Sequence, residues 1–204
     1  MSAPRRVDAG NIVGNHYDKY GTANPVVRAL MRGFTGAVTD LYLQTGATSV
    51  LEVGCGEALL SDHLIKARRP GHFEACDVAL RPAPGIDPQI VLREASIYGL
   101  PYADASFDLT IACEVLEHLT DPAAGLAELA RVARRHVIVS TPWEPIWRIL
   151  NLARGRYVGA LGNTPGHVQH FSRRAVLDLA ATKLADLRVR RPLPWTVILG
   201  DVRR

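Results

Sequence analysis

Cysteine is scarce in this 204-residue chain: Cys55, Cys76 and Cys113 are the only three, and no two of them form a CxxC pair. An odd count without metal-ligand spacing argues against a disulfide framework or a zinc ribbon, and predicts reduced thiols in a cytoplasmic protein. All three fall at expected strand ends, where small buried side chains are the ordinary use of cysteine. Long apolar runs are missing too, and no stretch approaches the roughly 20 residues of a membrane span. The opening MSAPRRVDAG carries two arginines with no apolar segment behind them, so it does not read as a signal peptide. A short flexible tail over 1–14 is expected instead. Lysine and arginine form only short pairs, such as Arg68-Arg69 and Arg134-Arg135, and the net charge is +4. That balance permits an anionic ligand without demanding nucleic acid. Internal repeats and low-complexity segments are absent.

What remains is an ordinary globular composition, 48% hydrophobic and 22% charged, sized for one domain over 1–204. Pro25 to about Leu43 carries apolar residues at helical spacing, with proline suited to a first turn. Strands are expected at Ser49–Val53, Phe73–Asp77, Ile90–Arg93, Phe107–Cys113 and His136–Ser140, with a final pair at Leu187–Val189 and Thr196–Leu199. Helices are expected at Glu57–Ala67, at Pro122–Arg134 with Asp121 as N-cap, and from Arg173 to about Lys183 with Ser172 as cap. Strands alternating with helices predict an α/β fold: a Rossmann-like parallel sheet with helices on both faces. Ligands in such sheets bind outside the carboxyl ends of the strands, where strand order reverses. The stretch 143–171 is too long for an ordinary connection and reads as a lid or substrate-binding insert.

The segment SVLEVGCGEALLSDHL places Gly54 and Gly56 directly after a strand, where a missing Cβ lets backbone approach a ligand. A dinucleotide fold would require G-x-G-x-x-G, yet Gly56 is followed by Glu57, Ala58 and Leu59. Glu57 would also set a carboxylate where a pyrophosphate belongs, which disfavours a nicotinamide cofactor. Asp77 ends the next strand, 21 residues after Gly56, and a carboxylate there can accept both ribose hydroxyls of an adenosine.

In "CEVLEHL", Glu114, Glu117 and His118 stand at i, i+3 and i+4, which on a helical turn is one face. Two carboxylates and an imidazole there suit a divalent metal such as Mg²⁺ or Zn²⁺, with His167 or His170 of "PGHVQHF" as a further ligand. The alternative is that Glu114 meets a cofactor while Glu117 and His118 only organise the turn. If the chemistry needs a base, the candidates are His118, His167 and, beside Phe171, His170. Within the insert, Trp143, Trp147 and Tyr157 alternate with Arg148, Arg154 and Arg156. Trp143, Trp147 and Arg148 are the candidate substrate contacts: rings over an apolar or aromatic molecule, arginine against an anionic group. The same helix could lie on a membrane surface or simply pack on the sheet edge.

"VLEVGCGEALL", Asp77 in "EACDVAL", "SIYGLPYADASFDLTIACEVLEHL" and "HVIVSTP" together resemble the class I S-adenosylmethionine-dependent methyltransferases. The similar subgroup is the small enzymes of the type that includes ubiquinone-pathway methylases, and the resemblance covers roughly Thr48 to Pro142. It implies a seven-stranded sheet whose last strand is antiparallel. It implies S-adenosylmethionine over Gly54, Cys55 and Gly56, Glu52 orienting the methionine end, Asp77 on the ribose and Val78 beside the adenine. Ser96 and Ile97 would border the adenine, with Ser96 standing where the family often has Asp. Glu114 and, in the N-terminal NHYDKYGTANP, Tyr20 or Tyr17 complete the cofactor set. The family metal site would map onto Glu114, Glu117, His118 and His167. The function implied is methyl transfer to a small molecule at oxygen, a natural-product or quinone-like acceptor, by a monomer or homodimer without nucleic acid. The rivals are an RNA 2′-O-methyltransferase and a non-catalytic cofactor-binding partner subunit.

Overall fold

The computed structural model describes residues 24–144, 146 and 168–204. The side-chain oxygen of Asn24 accepts from the amides of Val26 at 2.9 Å and Val27 at 3.3 Å, and Pro25 occupies the first turn. This starts α1 (Pro25–Thr45), which Gly46 closes in the left-handed region. The helix runs two residues past its expected end at Leu43, because Tyr42 and Thr45 are themselves buried.

The described residues form one sheet of seven strands: β1 (Ser49–Val53), β2 (His72–Asp77), β3 (Ile90–Glu94), β4 (Phe107–Cys113), β5 (Ala133–Pro142), β6 (Leu184–Arg190) and β7 (Trp195–Val202). Their order is β3-β2-β1-β4-β5-β7-β6. The first five pair in parallel, and β7 runs antiparallel to both β5 and β6. This is the Rossmann-like arrangement expected, with strand order reversing between β1 and β4. Helices α2 (Leu59–Ala67), α3 (Pro122–Val132) and α4 (Arg173–Ala181) complete the layers.

Strands covered on both faces are apolar on both, and β4 is buried at every position. Val50, Leu109 and Ile111 join the core under α1 and α2. Leu51, Val53 and Ala112 join the opposite core, which includes Leu126, Leu129 and Val176 of α3 and α4. At about 25 cal/mol per Å² of apolar area, this double burial is the main source of stability. No helix among the described residues is long and apolar enough to cross a membrane.

Several strands run longer than expected, β5 from Ala133 rather than His136 and β6 from Leu184 rather than Leu187, and three helix boundaries fall inside their expected ranges. α2 begins at Leu59 rather than Glu57, because Gly56 (φ 52°) and Ala58 (φ 58°) are left-handed. α3 stops at Val132 rather than Arg134, because Ala133 pairs with Phe107 and pulls the chain into β5. Pairing in the sheet outweighs local helix propensity there. α4 stops at Ala181, and the Lys183 carbonyl instead accepts from the Arg203 amide at 2.9 Å.

Candidate active site

The glycine turn sits at the carboxyl end of β1, beside the point of strand reversal. Its geometry is fixed from β2. The amides of Gly54 (2.7 Å) and Cys55 (3.0 Å) both donate to the Cys76 carbonyl, and the Gly56 amide donates to Asp77 Oδ2 at 2.9 Å. Asp77 Oδ1 accepts from the Ala79 amide at 3.0 Å. Each carboxylate oxygen has two lone-pair directions, so one on each is left for a further donor such as a ribose hydroxyl. A Cβ at Gly56 would meet nothing within 4 Å, so the turn presents bare backbone to open space. At Gly54 (φ 76°) a Cβ would lie 2.4 Å from Val115 Cγ2, which excludes any side chain. This residue set fits a nucleoside ligand: bare backbone at Gly56 facing open space, and a half-buried carboxylate at the end of the neighbouring strand.

Glu52 is 3% exposed beneath the turn and accepts a hydrogen bond from Ser61 of α2. Burial pushes its carboxyl up to about 7 in spite of that bond, and Asp77 adds to the upward push. Burial also raises the thiols. Cys76 is pushed up to about 12, and Cys55 and Cys113 are also raised well above the ordinary thiol value, with the Glu52 charge contributing to all three. All three cysteines are free and buried, as inert core thiols are.

Of the residues expected to border the adenine, Val78 is exposed and Ser96 half-buried. Ser96 Oγ accepts from the Tyr98 amide at 3.3 Å, so the hydroxyl helps shape its own loop. Ile97 is 6% exposed within the core that holds Leu116 and Leu119. Its side chain is a packing element, and only its backbone is left to border a ligand.

The expectation that Glu114, Glu117 and His118 share one face is corrected. Glu114 ends β4 in the left-handed region (φ 59°), and the residues after it form a 3₁₀ turn, Leu116–His118. Such a turn advances about 120° per residue rather than 100°. Glu117 points inward and is 1% exposed, whereas His118 is exposed. Among the described residues no group of three His, Cys, Asp or Glu side chains is placed to hold a metal ion. His167, Tyr17, Tyr20, Trp147 and Arg148 lie outside the described residues, as do the tail 1–14 and most of the insert.

Glu114 is oriented by a residue the sequence reading missed. Its amide donates to the carbonyl and to Oγ of Ser140, each at 3.2 Å, and Ser140 Oγ donates to Glu114 Oε1 at 3.4 Å. The signal was present in the strand HVIVS, whose last residue pairs with Cys113.

The segment returning from the insert crosses the ends of β4 and β5. The amides of Val168 and Gln169 both donate to the Glu117 carbonyl at 2.9 Å. Further along, the Phe171 carbonyl accepts from the Glu144 amide at 3.3 Å. Exposed His170 therefore stands on a strap between the 3₁₀ turn and the end of β5. Trp143 is half-buried at the end of β5, its amide donating to the Pro194 carbonyl at 2.7 Å. The Arg173 guanidinium lies 3.8 Å from the centre of the Trp143 ring. A groove of about 450 Å³ between α1 and α2, lined by Arg32, Thr39, Asp40 and His63 among others, shares no residue with the glycine turn. Strand-end geometry rather than concavity marks the site.

Known proteins match this architecture. Residues 51–140 match the family described as "Methyltransferase domain". A Mycobacterium tuberculosis protein named "Probable S-adenosylmethionine-dependent methyltransferase" is 35% identical over 99 residues, covering 47% of this chain and 36% of that protein. A "Ubiquinone biosynthesis O-methyltransferase" of Hahella chejuensis is 38% identical over 93 residues, covering 42% and 38%. The chain thus spans little more than a third of the length of these curated relatives. Among solved structures, magnesium protoporphyrin IX methyltransferase from Synechocystis PCC 6803, with bound SAH, superimposes with a TM-score of 0.63 at 17% identity, covering 90% of each chain. The methyltransferase domain of a bacterial Hen1 gives 0.61 at 22% identity, covering 85% of this chain and all of that one. At these identities the structural matches establish the fold.

Proposed function

We propose, from the match of residues 51–140 to the methyltransferase-domain family, that this chain is an S-adenosylmethionine-dependent methyltransferase that transfers a methyl group to an oxygen of a small molecule. The observation carrying this reading is the turn at the strand reversal, where Gly54 packs on Val115 and Gly56 presents bare backbone to open space beside the half-buried Asp77 carboxylate. Oxygen as the acceptor atom draws on the relatives named as ubiquinone biosynthesis O-methyltransferases. S-adenosylmethionine supplies a methyl group already activated on a sulfonium: the acceptor oxygen forms the new O–C bond as the C–S bond breaks and its electron pair goes to sulfur.

The protein has little covalent work to do. Its task is to hold the acceptor about 3 Å from the methyl, and orientation alone accounts for a large share of such rate enhancements. In this reading Asp77 holds the ribose and Ser140 orients Glu114 at the cofactor's edge. His170 on the strap takes the proton of an acceptor hydroxyl. The charge pattern and the strap favour a small acceptor over a nucleic acid.

Calorimetric titration of S-adenosylmethionine and S-adenosylhomocysteine, with and without EDTA, tests the reading on wild type and Asp77→Ala. Micromolar binding that is lost in Asp77→Ala and indifferent to EDTA supports a metal-independent methyltransferase. No binding by the wild type under any condition overturns it and favours a partner-subunit role. Binding that vanishes with EDTA returns a metal to the mechanism.

A further inference from the structure

We propose that Arg173, stacked on Trp143, is the cation that selects the acceptor, and that the acceptor carries an anionic group, a carboxylate or a phosphate. The proposal rests on the methyltransferase reading and adds the substrate class to it.

Ion pairing does not account for this side chain. Arg93, Arg134 and Arg188 each reach a carboxylate within 3 Å. Arg174, the next residue, pairs across one turn with Asp178 at 3.6 Å. Among the described residues Arg173 makes no ion pair, and the residue one turn on from it is Leu177. Helix electrostatics does not account for it either. Arg173 is the first residue of α4, whose first turn holds no acid, and a cation there opposes the helix dipole. What holds the guanidinium is the ring of Trp143 at 3.8 Å, a contact that fixes its plane. Among the described residues its Nε is buried without a hydrogen-bond partner, so the pose is set by stacking.

Placement gives the stack its meaning. Trp143 follows the last residue of β5, and Arg173 follows the strap that crosses the ends of β4 and β5. Arg173 lies three positions along the chain from His170, at most about 11 Å. One small molecule can span that distance, its reacting oxygen near His170 and its anion on the guanidinium. A half-buried, plane-fixed arginine suits this task, since its fork matches carboxylate and phosphate alike and the charge is less screened than at the surface.

The test titrates 3-hydroxybenzoate, its neutral methyl ester and 3-hydroxyphenyl phosphate into the chain, with and without saturating S-adenosylhomocysteine. Wild type, Arg173→Gln, Arg173→Lys and Trp143→Phe are compared, each with its thermal midpoint. Both anions are expected to bind wild type at least tenfold more tightly than the ester, and the tighter of the two names the anion. Arg173→Gln should erase the preference by weakening the anions while leaving the ester, the S-adenosylhomocysteine affinity and the midpoint unchanged. Arg173→Lys and Trp143→Phe should each keep part of it, and they carry the test if the glutamine variant does not fold. Equal binding of anion and ester, a preference that survives Arg173→Gln, or no anion binding to the wild type overturns the proposal. Failure of S-adenosylhomocysteine to bind is read separately and overturns the methyltransferase reading.

Discussion

Asp77 Oδ2 accepts the Gly56 amide at 2.9 Å, so the carboxylate proposed to hold the ribose also holds the turn beneath the cofactor. One residue thereby couples two parts of the site. Asp77→Ala should weaken S-adenosylhomocysteine binding at least a hundredfold and also cost about 2 kcal/mol of stability, because the hydrogen bonds from Gly56 and Ala79 are both lost and each is typically worth about 1 kcal/mol net. Asp77→Asn, whose single amide oxygen can still accept from Gly56, should recover part of the stability but not the affinity. Calorimetry and urea unfolding on the two variants separate the effects.

Gly54→Ala should be strongly destabilising. The new methyl would meet Val115 Cγ2 at 2.4 Å, and the backbone is left-handed at φ 76°. Overpacking and strain together predict a loss of about 2–4 kcal/mol. The double variant Gly54→Ala/Val115→Ala should recover part of it, as measured by denaturant unfolding.

Glu52 should make stability fall as pH rises. Its folded carboxyl titrates near 7 against an ordinary 4.5, so the folded state binds the proton more tightly between those values. The ionised form therefore opposes folding, and the penalty is complete above about pH 7. Glu52→Gln should be more stable than wild type at pH 8, by on the order of 2–3 kcal/mol, with the gap narrowing toward pH 5. Unfolding curves at the two pH values give the difference.

Asp108 behaves in the opposite sense. Burial pushes its carboxyl up, but bonds from Thr48 and Ser49, together with Arg134 at 2.7 Å, outweigh that and bring it to about 2. Its contribution is complete above the ordinary value of 3.8 and is lost as pH falls from there through about 2. Asp108→Asn should cost about 2 kcal/mol at pH 7 and almost nothing at pH 2.

The fold was readable because its signals are local. Asn-Pro and Asp-Pro pairs mark the starts of α1 and α3, and apolar runs such as FDLTIAC leave a doubly covered strand as the natural reading. Gly54, Gly56 and Asp77 were readable for the same reason: each stands at a strand end that apolar residues define. The Glu114–Glu117–His118 face was misread because helical spacing was assumed where a left-handed residue and a 3₁₀ turn intervene. Nothing in CEVLEHL announces that turn; it arises because Leu116 and Glu117 are both drawn inward. Ser140, Val115 and Arg173 escaped notice because their roles depend on partners 26, 61 and 30 residues away. Ala58 shows how burial can stand in for glycine. Its left-handed backbone costs roughly 1–2 kcal/mol, partly offset because its methyl group is fully buried.

The anchors at Trp143 and at Val168–Gln169 have an evolutionary consequence. One end of the insert is tied to the Pro194 carbonyl and the other to the Glu117 carbonyl, both backbone atoms belonging to the sheet and its turn. Main-chain anchors make no demand on the identity of the side chains between them. Trp143, Val168 and Gln169 can therefore change identity, proline apart, without losing these anchors, and the ground beside the glycine turn can acquire new acceptor contacts while the turn and its carboxylate stay as they are.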